Sequence, residues 1–259
     1  MQLNLASFRR VYLAVAIVSA VSLNPALEAQ IPAGRVIQKA NRSGSPHMTA
    51  QFNPAALSYS QLGDMFFQWN FSIPVPANPM FDNGDCKTGQ SGPVWFLGGT
   101  DFTLTTNGVT VGQADRTCVL PGNVEIFFPI INSECSDVPG DNLGDTTEAG
   151  LRACAKFFTD FTTVATVTLD NISLTGSVQR VSSGPGGFQF GPLPGNNVLQ
   201  FFGLDGKPGS THRSVSEGYY LRLGPLPAGN HTLKFFGEQD FGGGSKSIQD
   251  ITYHLIVQH

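Results

Sequence analysis

From residue 58 to residue 71 the run SYSQLGDMFFQWNF places Leu62, Met65, Phe66 and Trp69 at helical spacing, which predicts an amphipathic helix ending before Ile73-Pro74. Gly63 weakens its interior. The next stretch, PVPANPMFDNGDC, holds three prolines and Asn83-Gly84 and reads as an extended connector closed by a turn. Short apolar runs then follow at residues 93–97, 102–106, 110–112, 116–120 and 124–131, separated by Gly-Gly, Asn107-Gly108 and Pro121-Gly122. Asn-Gly between two such runs is a hairpin signal. In 124–131 both alternating sets are apolar apart from Glu125, so this strand is expected to be covered on both faces.

A helix is the natural cover. Asp145-Thr146-Thr147-Glu148 has capping-box spacing, and Leu151, Cys154, Phe158 and Phe161 fall on one face after it. The remainder reads as strand and turn: 164–169, 177–182, 188–190, 198–202, 218–223, 231–236 and 248–257. The last alternates cleanly, with Ile251, Tyr253, Leu255 and Val257 on one face. Short strands and turns at this spacing predict a mainly β fold, an antiparallel β-sandwich or jelly-roll with one or two packed helices. No internal repeat or composition break divides residues 56–259, which are read as one domain.

Composition supports this. Of 259 residues, 13% are charged, while Gly 30, Pro 17 and Phe 20 are abundant, favouring short strands and tight turns over solvated helices. A net charge of -4 without a Lys/Arg cluster gives no footprint for a nucleic-acid backbone. At the start, Arg9-Arg10 precede an apolar run from Val11 to Leu23 and small residues near Ala29. Residues 1–29 are therefore read as a signal peptide, residues 30–55 as a flexible leader, and the product as secreted or periplasmic, with no integral membrane span after cleavage. Export lets Cys86, Cys118, Cys135 and Cys154 pair. Of three connectivities, Cys86–Cys118 and Cys135–Cys154 are preferred because each closes a local loop. A zinc site has no support, since there is no C-x-x-C spacing and no nearby histidine.

The segments QSGPVWFLGGT, RTCVLPG, FFPIINSEC, LRACAKFF, LPAGNHTLKF and ITYHL resemble a family of secreted, uncharacterised bacterial proteins. Its members share a W-x-W-like helix, GPVWFLAGT and FFPIIN-x-EC motifs, and a closing LPxGxHT hairpin. The family-like positions are Trp69, Gln90, Trp95, Arg116, Cys118, Asn132, Glu134, Cys135 and Cys154. Phe67 stands where the family pattern has Trp, and Gly98-Gly99 replaces Ala-Gly. The resemblance implies an architecture and no activity.

The candidate chemistry is spread thinly. Gly89-Gln90-Ser91-Gly92-Pro93 misses the G-x-S-x-G serine-hydrolase pattern at its last position. Glu134, just past a buried strand, is the best acid for a glycosidase-like pair with Asp82, Asp85 or Glu148. The favoured reading of Glu134 is structural, as a partner of Arg116 or Arg152 or a cap for backbone groups in the loop. Glu134, Asp137, Asp141 and Asp145, and Asp82-Asn83-Gly84-Asp85, crowd oxygen ligands suited to calcium, and also suit solvated turns. The five histidines are scattered, leaving no transition-metal pair. Sandwich-face binding would use Trp69, Tyr220 and Gln90, with Trp95 assigned to the core and one of Tyr219 and Tyr220 exposed.

The resulting expectation is a non-catalytic module binding a glycan or another cell-envelope component through Gln90, Arg116, Asn132, Glu134, Trp69 and Tyr220. The alternative is a secreted hydrolase using Glu134. No cofactor is required by this reading, calcium being the one ion left open.

Overall fold

The computed structural model describes residues 57–81, 84–101 and 103–259. The signal-peptide and leader assignments and His47 lie outside the described residues, as do Asp82 and Asn83 of the second acidic turn.

The helix predicted first is present as α1 (Tyr59–Ser72). Ser58 caps it: its hydroxyl accepts from Gln61 N at 3.2 Å, while Gln61 Oε1 accepts from Ser58 N at 2.9 Å. This reciprocal box satisfies two of the amide groups that a helix start leaves unpaired. Strands β1 (Val94–Phe96), β2 (Leu104–Thr106), β3 (Val109–Pro121) and β4 (Glu125–Ser136) follow. Asn107 and Gly108 both take positive φ, 52° and 81°, the conformation that joins β2 to β3 as a tight hairpin. Helix α2 (Glu148–Thr159) precedes β5 (Thr162–Leu169), β6 (Ile172–Ser173), β7 (Gln179–Ser182) and β8 (Phe188–Phe190). The short helix α3 (Val198–Phe201) leads to β9 (His212–Leu223), β10 (Gly229–Gly242) and β11 (Ser245–Gln258).

These strands form two packed mixed sheets. One runs β1-β4-β9-β7, with β8 also on β9; the other runs β2-β3-β11-β10-β5-β6. The sandwich expected from the alternation is there, with both preferred disulfides, Cys86–Cys118 and Cys135–Cys154. Two junctions differ from an all-antiparallel sheet: β1 pairs β4 and β3 pairs β11 in parallel. A parallel neighbour needs a crossover instead of a turn, and no local sequence signal marks one.

Three further expectations are corrected. Residues 198–202 form a helical turn, because Asn197 and Gln200 make a second capping box that outweighs the β propensity of Val198 and Phe202. The strands expected at 110–112 and 116–120 are one continuous strand. Helix α2 is capped by Thr147, whose hydroxyl accepts from Gly150 N at 3.1 Å; Asp145 instead accepts from Thr147 N at 2.9 Å and closes the turn before the helix.

Strand β4 is buried on both faces, as its pattern requires. Ile126, Phe128 and Ile130 point into the inter-sheet core with Leu233, Phe235, Ile251, Tyr253 and Leu255. Phe127 points the other way, stacking on Tyr220 at 5.4 Å among the aromatic side chains of α1. The cover of that face is therefore α1. Helix α2 packs over the far end of β4, where Cys154, Leu151 and Phe158 meet Cys135 and Val215. Among the described residues no helix is long and apolar enough to cross a membrane.

Candidate functional site

β1 pairs with β4 only through Phe127, so from Pro129 onward β4 has no strand on that side. A cleft of about 70 Å³ runs along the open edge, with room for a few water molecules. Its walls include Asp101, Asn132, Ser133, Glu134, Gln239 and Gln249. A bulge between Pro129 and Ile131 resets the alternation of β4 at the same place. Beyond it, Ile131 lies against Gly237 of the second sheet, and Ser133 accepts from Gln239 Nε2 at 3.4 Å. Asn132 and Glu134 thereby fall on the opposite face, with Ser214, Ser216 and Tyr220 of β9.

The cleft is held rigidly. Gln249 spans its upper wall, accepting from Thr100 N at 2.8 Å and donating to Thr100 O at 3.1 Å. Gln239 donates to Phe158 O at 2.9 Å. Asp101 is buried and accepts from Asn70 Nδ2 at 3.3 Å. Burial pushes its carboxyl up to about 7, against the pull of the Asn70 hydrogen bond and the Arg116 charge.

Glu134 is almost wholly buried, accepting from the Ser214 hydroxyl. Its other oxygen, Oε2, and Asp141 Oδ1 have no amide or hydroxyl donor. The two carboxyls interact with each other instead. Burial and the Asp141 charge raise Glu134 well above the ordinary range, and burial raises Asp141 to about 7. Two desolvated carboxyls side by side cannot both ionise cheaply, so their neighbourhood favours the protonated form. Asp141 is held in turn by Ser136 Oγ at 2.5 Å. Behind them Asp64 of α1 accepts from Ser183 Oγ at 2.5 Å and Ser216 Oγ at 3.4 Å, and burial raises its carboxyl too.

Of the six residues expected to bind ligand, Asn132 and Glu134 line this cleft. The other four do not present themselves. Trp69 is buried on α1, donating Nε1 to Thr88 O at 3.1 Å, and Tyr220 is buried beneath the same helix. Of the tyrosine pair, Tyr219 is the one that reaches outward, partly covered by Arg180 at 5.9 Å. Gln90 braces the strand entry: Nε2 donates to Phe96 O at 2.7 Å and Cys86 O at 3.1 Å, and Oε1 accepts from Phe96 N at 2.9 Å. Arg116 clamps the Gly-Gly turn, donating to Gly99 O at 2.7 Å and Tyr253 Oη at 2.8 Å. Arg152 binds Glu148 at 2.8 Å and the carbonyls of Ser183 and Gly184, so neither arginine is the partner foreseen for Glu134.

Ser91 is exposed at an isolated bridge to Val94, with no histidine bonded to it among the described residues. The acidic loop disperses: Asp137 pairs with His212, Asp145 caps a turn, and Glu134 and Asp141 face inward. Among the described residues no three His, Cys, Asp or Glu side chains gather as a metal-holding group. His231 and His254 lie on paired strands but separate, bonded to Asp170 and Asp115. Sequence reasoning missed Asp101, Gln239 and Gln249. Asp101 follows the GGT motif directly; the two glutamines carry no local signal.

The class defined by this geometry is a disulfide-braced mixed β-sandwich with an α1-covered face and a polar edge cleft. No family model, curated protein or solved structure matches the chain.

Proposed function

We propose that this chain is an exported binding protein whose recognition site is the edge cleft. Its ligand is the hydroxyl-rich end of a glycan or another cell-envelope component. The observation that carries this reading is the cleft wall itself, where amides, hydroxyls and two carboxyls converge on a small space: Asn132, Ser133, Gln239, Ser247, Gln249, Asp101 and Glu134. Such a set can donate to and accept from neighbouring hydroxyl groups at once. The volume suits one end of a ligand, not a whole oligosaccharide. The aromatic platform first expected has no part in this version, since Trp69 and Tyr220 are inside.

The test is titration calorimetry of the mature protein against a panel of glycans and envelope fragments, beside Ser133→Trp, which fills the cleft. Binding by wild type and its loss in Ser133→Trp, with the thermal midpoint kept, is the expected result. A panel without any binder, or undiminished binding by Ser133→Trp, would sink the proposal.

One observation favours a second reading. Asp101 and Glu134 both line the cleft and both are desolvated acids with raised pKa values, the pairing that a glycosidase-like hydrolase needs. Turnover of a glycan in the same panel, abolished by Glu134→Gln and by Asp101→Asn, would select the hydrolase over the binding protein.

A further inference from the structure

The end of β4 and the start of β9 bring together three side chains that the cleft does not use. Asp137 Oδ1 lies 2.8 Å from His212 Nδ1, and His212 Nε2 lies 2.8 Å from Ser210 Oγ. The carboxylate is on one ring nitrogen and the hydroxyl on the other. In that order an Asp fixes the imidazole tautomer and leaves the far nitrogen bare to accept a serine proton.

All three are placed by anchored backbone. His212 opens β9, paired with Phe190 of β8, and its ring lies 5.8 Å from that of Phe190. Asp137 follows the last β4–β9 pair, Ser136 with Ser214, and its amide donates to Arg213 O at 3.0 Å. Arg213 Nε also stands 3.5 Å from Asp137 Oδ2. Ser210 ends a turn in which its amide donates to Lys207 O at 3.0 Å, and its carbonyl accepts from Leu193 N at 2.9 Å. Histidine and serine are half-buried, screened in part from water yet reachable from the surface.

We propose that Ser210, His212 and Asp137 form a nucleophile, a base and an orienting acid that act on small activated esters. Ser210 Oγ attacks the acyl carbon while His212 Nε2 takes the hydroxyl proton. The bond from the acyl carbon to the leaving oxygen breaks, and that oxygen receives the proton from His212. Water, deprotonated by the same nitrogen, then cleaves the acyl–Oγ bond and releases the acid, and the proton returns to Ser210. The Lys207 carbonyl, 2.6 Å from Ser210 Oγ, competes for the serine proton in the resting state. Ser210 must turn from it to react, so the esters it acts on are those with good leaving groups. This site is independent of the edge cleft and does not rest on the binding proposal.

The experiment treats the intact mature protein with a fluorophosphonate probe and with p-nitrophenyl acetate. The modified residue is mapped by peptide mass spectrometry, and melting curves confirm that each variant is folded. Labelling at Ser210 is expected, together with turnover of the ester. Ser210→Ala removes the label, His212→Gln slows it at least about 100-fold, and Asp137→Asn slows it at least about 10-fold. His212→Gln keeps a hydrogen-bonding side chain without a base, so a clasp that only ties β4 to β9 predicts an unchanged labelling rate. That result, or folded wild-type protein unlabelled at Ser210, would overturn the assignment.

Discussion

Replacing Asp101 by Asn should make the protein more stable at neutral pH and leave it unchanged at acid pH. Asp101 is buried with its carboxyl raised from 3.8 to about 7. In the unfolded chain that carboxyl ionises near 3.8, so between pH 4 and 7 the native state holds a proton that the unfolded state has lost. Stability then falls as pH rises through this window; it is fully present below about 3.8 and the loss is complete once pH passes about 7. The separation corresponds to a loss on the order of 4 kcal/mol. Asn is isosteric with the protonated acid and keeps an oxygen for Asn70 Nδ2, so the variant lacks this slope. Urea unfolding of wild type and Asp101→Asn at pH 4.0, 5.5 and 7.5 measures it. The two should coincide at pH 4.0 and diverge with rising pH, with the variant the more stable. Exposed carboxylates lowered by their partners, such as Asp160 and Asp240, slope the other way but do so equally in both proteins. Parallel curves, or a variant less stable at pH 7.5, would refute the reasoning.

Other outcomes follow from packing and covalent structure. Gly237→Ala places a Cβ 2.7 Å from Ile131 Cβ and 2.8 Å from Ile130 O of the facing sheet; a loss of about 1–3 kcal/mol in urea unfolding is expected. Replacing Cys86 and Cys118 together by Ser releases a loop of sequence separation 32 and should lower stability by about 4 kcal/mol, against about 3 kcal/mol for the Cys135–Cys154 pair. Gln90→Ala removes three hydrogen bonds and strands the Phe96 backbone groups, so it should cost about 2–3 kcal/mol. If Gln90→Ala melts like wild type, its role is not the structural one described.

What was legible in the sequence was the part governed by local chemistry. The period of 3.6 in α1, the alternation of β11 and the Asn107-Gly108 turn each have a short-range cause, and each is in place. Both disulfides followed from loop closure. Pairing between distant strands has no such cause: nothing near Val94 announces that it lies parallel beside Glu125. The site suffered most from this. Asn132 and Glu134 were found because they end a conspicuous apolar strand, whereas Gln239 and Gln249 reach the cleft only through the register of β10 and β11. Trp69 and Tyr220 were misplaced for a related reason. Tyr220 on its sheet face looks exposed until α1, from the far end of the chain, is laid over it, and Trp69 lies on the face of α1 that packs there. Asp137 and His212 stood in two separate lists, as a calcium ligand and as a scattered histidine, until the β4–β9 pairing put them 2.8 Å apart.

The position of β11 has a consequence for how the chain acquires its fold. It lies between β3 and β10, parallel to one and antiparallel to the other, and it contributes Ile251, Tyr253 and Leu255 to the inter-sheet core. A ribosome releases residues 245–258 after every other strand described here. Until then β3 and β10 have no common neighbour and the inner face of the second sheet lacks its middle. Pairing in the second sheet therefore waits on the order of emergence, and the sheet closes in one late, long-range step.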